Sequence, residues 1–143
     1  MGDSGISRPR LGMAMKIEPK NPPRVYQVGR SVTVNMRDCG TVHLDPDEQL
    51  TFKTEAGAEY DLARKDWGFY ATPSLNGRLQ QFGLRAVLVK NLIGRFFVLL
   101  VEGGKEALFD QYVAVEELQI VTWLDDAGHL AFLESALAQA RAK

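Results

Sequence analysis

Leu84-Arg85-Ala86-Val87-Leu88-Val89-Lys90 and Arg95-Phe96-Phe97-Val98-Leu99-Leu100-Val101, joined by Asn91-Leu92-Ile93-Gly94, decide how this chain folds. Both runs are rich in Val, Leu and Phe, which suit a pleated, half-buried surface. The second run is apolar on both alternating faces: Phe96, Val98 and Leu100 on one, Phe97, Leu99 and Val101 on the other. A strand apolar on both sides is usually central and covered on each side. The pair is therefore expected to be a hairpin at the core of the fold, with 95–101 as a central strand.

Toward the C-terminus, Glu102-Gly103-Gly104 breaks the strand. From Lys105 to Glu116, Leu108, Tyr112 and Val115 recur at helical spacing with Phe109 and Val113 beside them. Leu118 to Leu124 reads as strand again. Asp125 or Asp126 can cap a final helix, because a short acidic side chain accepts from the free N–H groups of a first turn. That helix carries one narrow apolar stripe, Leu130, Leu133, Leu137 and Ala140, and an alanine-rich tail from Ala136 that is expected to fray.

Toward the N-terminus the strands are shorter. Glu59–Ala63 and Leu50–Thr54 flank Glu55-Ala56-Gly57-Ala58, a hairpin with Gly57 where positive φ is required. Thr41–Leu44, Val32–Met36 and Val25–Val28 are further short strands, with Asp38-Cys39-Gly40 as a turn. Residues 1–23 mix Gly, Ser, Pro and charges without an apolar period, which predicts a disordered arm. Met13 and Met15 are alternative starts within it. The expected architecture is β-rich α+β: one domain over 24–143, short antiparallel strands with a central hairpin at about 84–101, then helix, strand, helix.

A chain of 143 residues can bury a sizeable core without staples. Lys and Arg total 17 against 18 Asp and Glu, a net charge of −1. That balance lacks the field a non-specific nucleic-acid or anionic-membrane binder relies on, so neither partner is expected. A single cysteine, Cys39, excludes an internal disulfide and fits a cytoplasmic protein. No apolar run approaches the roughly 18 residues of a membrane span.

Motifs for chemistry are sparse. Cys39, Thr41 and His43 share a face of an extended strand, but Cys39 and His43 would stand about 13 Å apart at roughly 3.3 Å per residue. That is too far for a thiolate–imidazole pair, so a buried cysteine and a surface histidine are expected. His43 and His129 with Cys39 match no metal-ligand spacing, and no metal or cofactor is expected. Asp45, Asp47 and Glu48 read as a solvated acidic turn. Gly103-Gly104-Lys105 lacks the P-loop pattern, and Glu106 would repel phosphate.

The densest functional stretch is Arg64-Lys65-Asp66-Trp67-Gly68-Phe69-Tyr70-Ala71-Thr72-Pro73-Ser74-Leu75-Asn76-Gly77-Arg78. Aromatic faces at Trp67, Phe69 and Tyr70 can stack on a sugar or base. Arg64, Arg78 and Arg85 can fork onto carboxylate or phosphate oxygens. Ser74 and Asn76 supply a hydroxyl and an amide in a tight Asn-Gly turn. The candidate ligand-binding set is Arg64, Trp67, Tyr70, Ser74, Asn76 and Arg78. The same composition suits a core segment or a homodimer patch, since Trp, Tyr and Arg are enriched at interface hot spots.

This stretch, together with Asp45-Pro46-Asp47-Glu48-Gln49, resembles an uncharacterised family of small bacterial proteins met among genes for surface polysaccharide or glycan assembly. The likeness covers about Val25 to Asp126. It implies carbohydrate-related partners and carries no catalytic residues. Three functions remain open. The first is a non-catalytic binding or accessory protein for a sugar, nucleotide-sugar or partner protein. The second is a small enzyme on such a sugar, with Asp66, Tyr70 or His43 as acid/base. The third is a structural homo-oligomer subunit.

Overall fold

A computed structural model describes residues 15–142. It is α+β and β-rich, with antiparallel sheets and a C-terminal helix, as expected. The chain divides into two compact units. Of the described residues, the first holds 15–28, Thr33–Thr51 and Asp61–Thr72; the second holds Gly29–Val32, Phe52–Tyr60 and 73–142.

In the first unit, β1 (Lys16–Val28) pairs antiparallel with β2 (Val34–His43), from Lys16 opposite His43 to Val28 opposite Val34. Residues 1–14 of the expected disordered arm lie outside the described residues, but from Lys16 onward the expectation is overturned by β1. The ladder is made by backbone, so no apolar period announces it. Pro22 and Pro23, which have no N–H to give, fall in a bulge where residues 20–23 oppose Cys39 alone. Asp38 Oδ2 holds both shoulders of this bulge, 3.1 Å from Lys20 Nζ and 3.3 Å from Arg24 Nη2. The Lys20 hydrogen bond, then the Gly40 N–H, lowers the Asp38 pKa. Asp38-Cys39-Gly40 is thus strand, not the expected turn.

Strands β3 (Gln49–Lys53), β4 (Glu59–Lys65) and β5 (Gly68–Ala71) form a second antiparallel sheet in the order β3-β4-β5. Gly57 turns the β3–β4 hairpin at φ +98°, as expected. The short β5 sits inside the aromatic stretch and had no periodicity to show.

The second unit contains α1 (Arg78–Gln81), β6 (Leu84–Lys90), β7 (Phe96–Glu102), α2 (Glu106–Val115), β8 (Gln119–Trp123) and α3 (Ala127–Ala142). Its sheet order is β7-β6-β8, so the β7–α2–β8 connection steps past β6. One face is a core of Val87, Val89, Val101 and Phe109; on the other, Leu79 of α1 and Ala58 cover Leu84 and Ala86. The hairpin is where the sequence placed it, but the expected roles of its strands are exchanged. Strand β6 is central and β7 is an edge, with Phe96 and Val98 each 59% exposed. Helix α3 is capped by Asp126, whose Oδ1 accepts from the His129 N–H at 2.9 Å. It runs through the tail that was expected to fray, and none of its residues is buried.

Candidate functional site

Strands β4 and β5 close on the two-residue turn Asp66-Trp67, with Lys65 opposite Gly68. Gly68 adopts φ +143°, which a side chain would disfavour. Beyond the turn, Arg64 stands opposite Phe69 and Ala63 opposite Tyr70. Because successive strand residues alternate, Phe69 and Tyr70 point to opposite faces, and Trp67 occupies the tip. Trp67, Phe69 and Tyr70 are 71%, 58% and 50% exposed. The three rings are open to contact but do not form one flat platform.

The basic groups around them are engaged. The Arg64 guanidinium donates through Nη1 to the Leu44 carbonyl at 2.8 Å and through Nε to the Lys65 carbonyl at 2.9 Å. Lys65 pairs with the Asp47 carboxylate, whose hydrogen bond raises the Lys65 pKa. The acidic turn is tied inward as well, since Glu48 Oε1 accepts the Asp45 N–H at 2.6 Å. Arg64 therefore braces the hairpin to its surroundings within the first unit.

The other three expected residues belong to the second unit. Ser74 Oγ accepts the Arg78 N–H at 2.9 Å, and the Ser74 carbonyl accepts from Leu79 at 3.0 Å. The hydroxyl expected to meet a ligand instead starts α1. Asn76 is exposed in the turn before it. Arg78 is exposed with its guanidinium 5.2 Å from the Phe82 ring centroid. The six expected residues thus fall three on each unit.

A charged cluster that sequence reading missed lies within the second unit. Asp125, with a side chain only 3% exposed, accepts from Arg85 Nε at 2.7 Å and Nη2 at 3.3 Å. Gln80 Nε2 adds a third donor at 3.1 Å. The same guanidinium reaches Glu106 Oε2 at 3.4 Å and lies 4.0 Å from the Trp123 ring centroid. Trp123 in turn meets Phe109 edge-to-face. The Arg85 hydrogen bonds lower the Asp125 pKa, and Asp125 raises that of Arg85. Arg85 is thus engaged by the chain's own carboxylates through Nε, Nη1 and Nη2, not held free as the oxyanion fork considered above. The cluster joins residues 40 apart in sequence, a distance at which no local pattern signals a pair.

The remaining motifs resolve simply. The Gly104 N–H donates to Glu106 Oε1 at 2.7 Å, so this turn's amide is taken by a carboxylate. His43 is exposed, as expected, and its Nε2 lies 3.1 Å from Glu18 Oε1, a contact that lowers the Glu18 pKa. Cys39, expected to be buried, is exposed, because the β1–β2 ribbon leaves that side of β2 uncovered among the described residues. Among the described residues no cluster of three or more His, Cys, Asp or Glu could hold a metal, and no helix is long and apolar enough to cross a membrane. Comparison of the chain with protein-family models, with curated proteins and with solved structures finds no match.

Proposed function

We propose that this chain is a non-catalytic binding or accessory protein that works through the β4–β5 hairpin. The observation that carries this reading is the joint exposure of Trp67, Phe69 and Tyr70 around a two-residue turn. Large rings left in water are unfavourable unless something covers them, and aromatic side chains dominate recognition surfaces. Arg64 and Lys65 hold the strand ends through internal bonds, so the rings are presented on a braced support. A tip ring with one ring on each face suits a ligand gripped from several sides, such as a sugar chain or an extended segment of a partner protein. The glycan-related resemblance favours the sugar, and a bacterial cytoplasmic setting fits the lone cysteine.

A thermal-shift screen of free sugars, sugar phosphates and nucleotide sugars tests the reading, because a ligand bound only to the folded state raises Tm. Trp67→Ala is the informative control, since so exposed a residue should leave the unliganded Tm within about 2 °C of the parent. The expected result is a ligand whose shift is lost in Trp67→Ala and in Tyr70→Ala. A shift untouched by both substitutions would overturn the assignment of the hairpin, and silence across the panel would overturn the sugar.

A further inference from the structure

We infer that the β4–β5 hairpin takes an uncharged glycan, held on its Tyr70 face with a sugar ring over Ala63 and hydroxyls donating to Asp61. The inference rests on the hairpin reading above and narrows it to one face and one class of ligand. Directly opposite strand residues share a face, so Tyr70 lies on the side of Ala63. Asp61 and Lys65, two positions either way along β4, stand on that side too. Thr51 of β3 marks the same side, since its Oγ1 donates to Asp61 Oδ1 at 2.6 Å. All of these residues belong to the first unit.

Asp61 and Lys65 stand about 13 Å apart at roughly 3.3 Å per residue, and between them Ala63 offers only a methyl group. The half-exposed Tyr70 ring rises beside that gap, its Cβ about 5 Å from that of Ala63. An aromatic wall above a floor without bulk suits the C–H face of a sugar ring. A carboxylate only accepts, so whatever Asp61 reads must donate, as sugar hydroxyls do. Thr51 takes one of its oxygens, and the other has no side-chain partner among the described residues. The opposite face has no such reader. There Phe69 stands across from Arg64, whose guanidinium is turned to the Leu44 and Lys65 carbonyls.

Charge decides against an anion. Both basic side chains of the hairpin are engaged, Arg64 by carbonyls and Lys65 by Asp47. The acidic turn lies against β4 through its backbone: the Asp47 N–H donates to the Arg64 carbonyl at 2.7 Å, and the Arg64 N–H donates to the Glu48 carbonyl at 2.8 Å. Asp45, Asp47 and Glu48 thereby join Asp61 and Asp66 along the hairpin. So many carboxylates beside two engaged cations repel a phosphate, which sets nucleotide sugars aside.

Isothermal titration calorimetry with maltopentaose, cellopentaose and chitopentaose, set against UDP-glucose and UDP-galactose, tests the inference. A neutral oligosaccharide should bind, roughly tenfold or more tighter than either nucleotide sugar. Ala63→Met fills the gap, and Asp61→Asn removes the charge while keeping an oxygen for Thr51; each should raise Kd about tenfold or more. Asp61→Asn should also narrow the discrimination against nucleotide sugars, which a change of shape alone would not do. Phe69→Ala should bind as the parent does. Both β4 positions reach the surface, so the unliganded Tm should stay within about 2 °C of the parent; if Asp61→Asn folds poorly, Ala63→Met reads the same contact. Binding lost in Trp67→Ala or Phe69→Ala but untouched by Ala63→Met and Asp61→Asn would overturn the assigned face and leave the hairpin reading standing. A nucleotide sugar bound more tightly than every neutral chain would overturn the uncharged class, again with the hairpin standing. Silence across both sets would overturn the inference together with the sugar.

Discussion

Replacing Arg85 with Met should be among the most damaging single changes in the second unit. It leaves the Asp125 carboxylate, with a side chain 3% exposed, with the Gln80 amide as its one remaining side-chain donor among the described residues. Breaking a fully buried ion pair from one side costs about 3–5 kcal/mol. Arg85 is itself 33% exposed, so water can reach the vacated side and the expected loss falls to about 2–3 kcal/mol. The lost contact with the Trp123 ring is included in that figure. With a urea slope near 2 kcal/mol/M, the unfolding midpoint should drop by roughly 1–1.5 M. Trp123 lies beneath the guanidinium, so its fluorescence in a Trp67→Phe background reports this unit directly. The dependence on pH is a second check. Arg85 lowers the Asp125 pKa, so the pair stabilises the fold above the ordinary carboxylate range and ceases to do so as pH falls through the lowered folded value. The penalty of Arg85→Met should therefore be complete at neutral pH and shrink markedly near pH 3 (about one unit below a free aspartate). A midpoint shift under about 0.3 M, or one equally large at both pH values, would refute the reasoning.

Two further substitutions probe the frame. Gly40→Ala should disrupt the β1–β2 ribbon, because φ is +147° and the added Cβ would lie 2.5 Å from the Glu18 carbonyl oxygen; rapid amide exchange along β1 is the expected readout. Leu79→Ala removes a side chain with no exposed surface from beneath Leu84 and Ala86, and should lower unfolding free energy by about 2–4 kcal/mol in a urea titration.

Much of the fold was legible in the residues. Strand β6, the α2 spacing, β8, the Gly57 hairpin and an acidic cap at Asp125 or Asp126 (the structure uses Asp126) follow from burial period, turn chemistry and capping, all written within a few positions of one another. What failed to show were elements whose cause is distant. Strand β1 has no apolar period because β2 selects it through backbone pairing, with its prolines set aside in the bulge. Cys39 was expected to be buried as a small apolar side chain, but burial needs a covering layer and the ribbon lacks one on that side among the described residues.

For the candidate site, composition alone identified a stretch crowded with rings and charges. Composition could not say that Arg64 and Ser74 are occupied by the chain's own backbone, or that Phe69 and Tyr70 look opposite ways. Those facts depend on which strand pairs with which. The apolar content of β7 was likewise plain from its residues, and the expectation that both faces would be covered was sound chemistry. Its place at the edge of the sheet was decided only in three dimensions, because β8 pairs with β6 and leaves β7 outermost. Local sequence sets the period, the turns and the caps; long-range pairing decides which apolar faces the chain covers itself and which it leaves exposed.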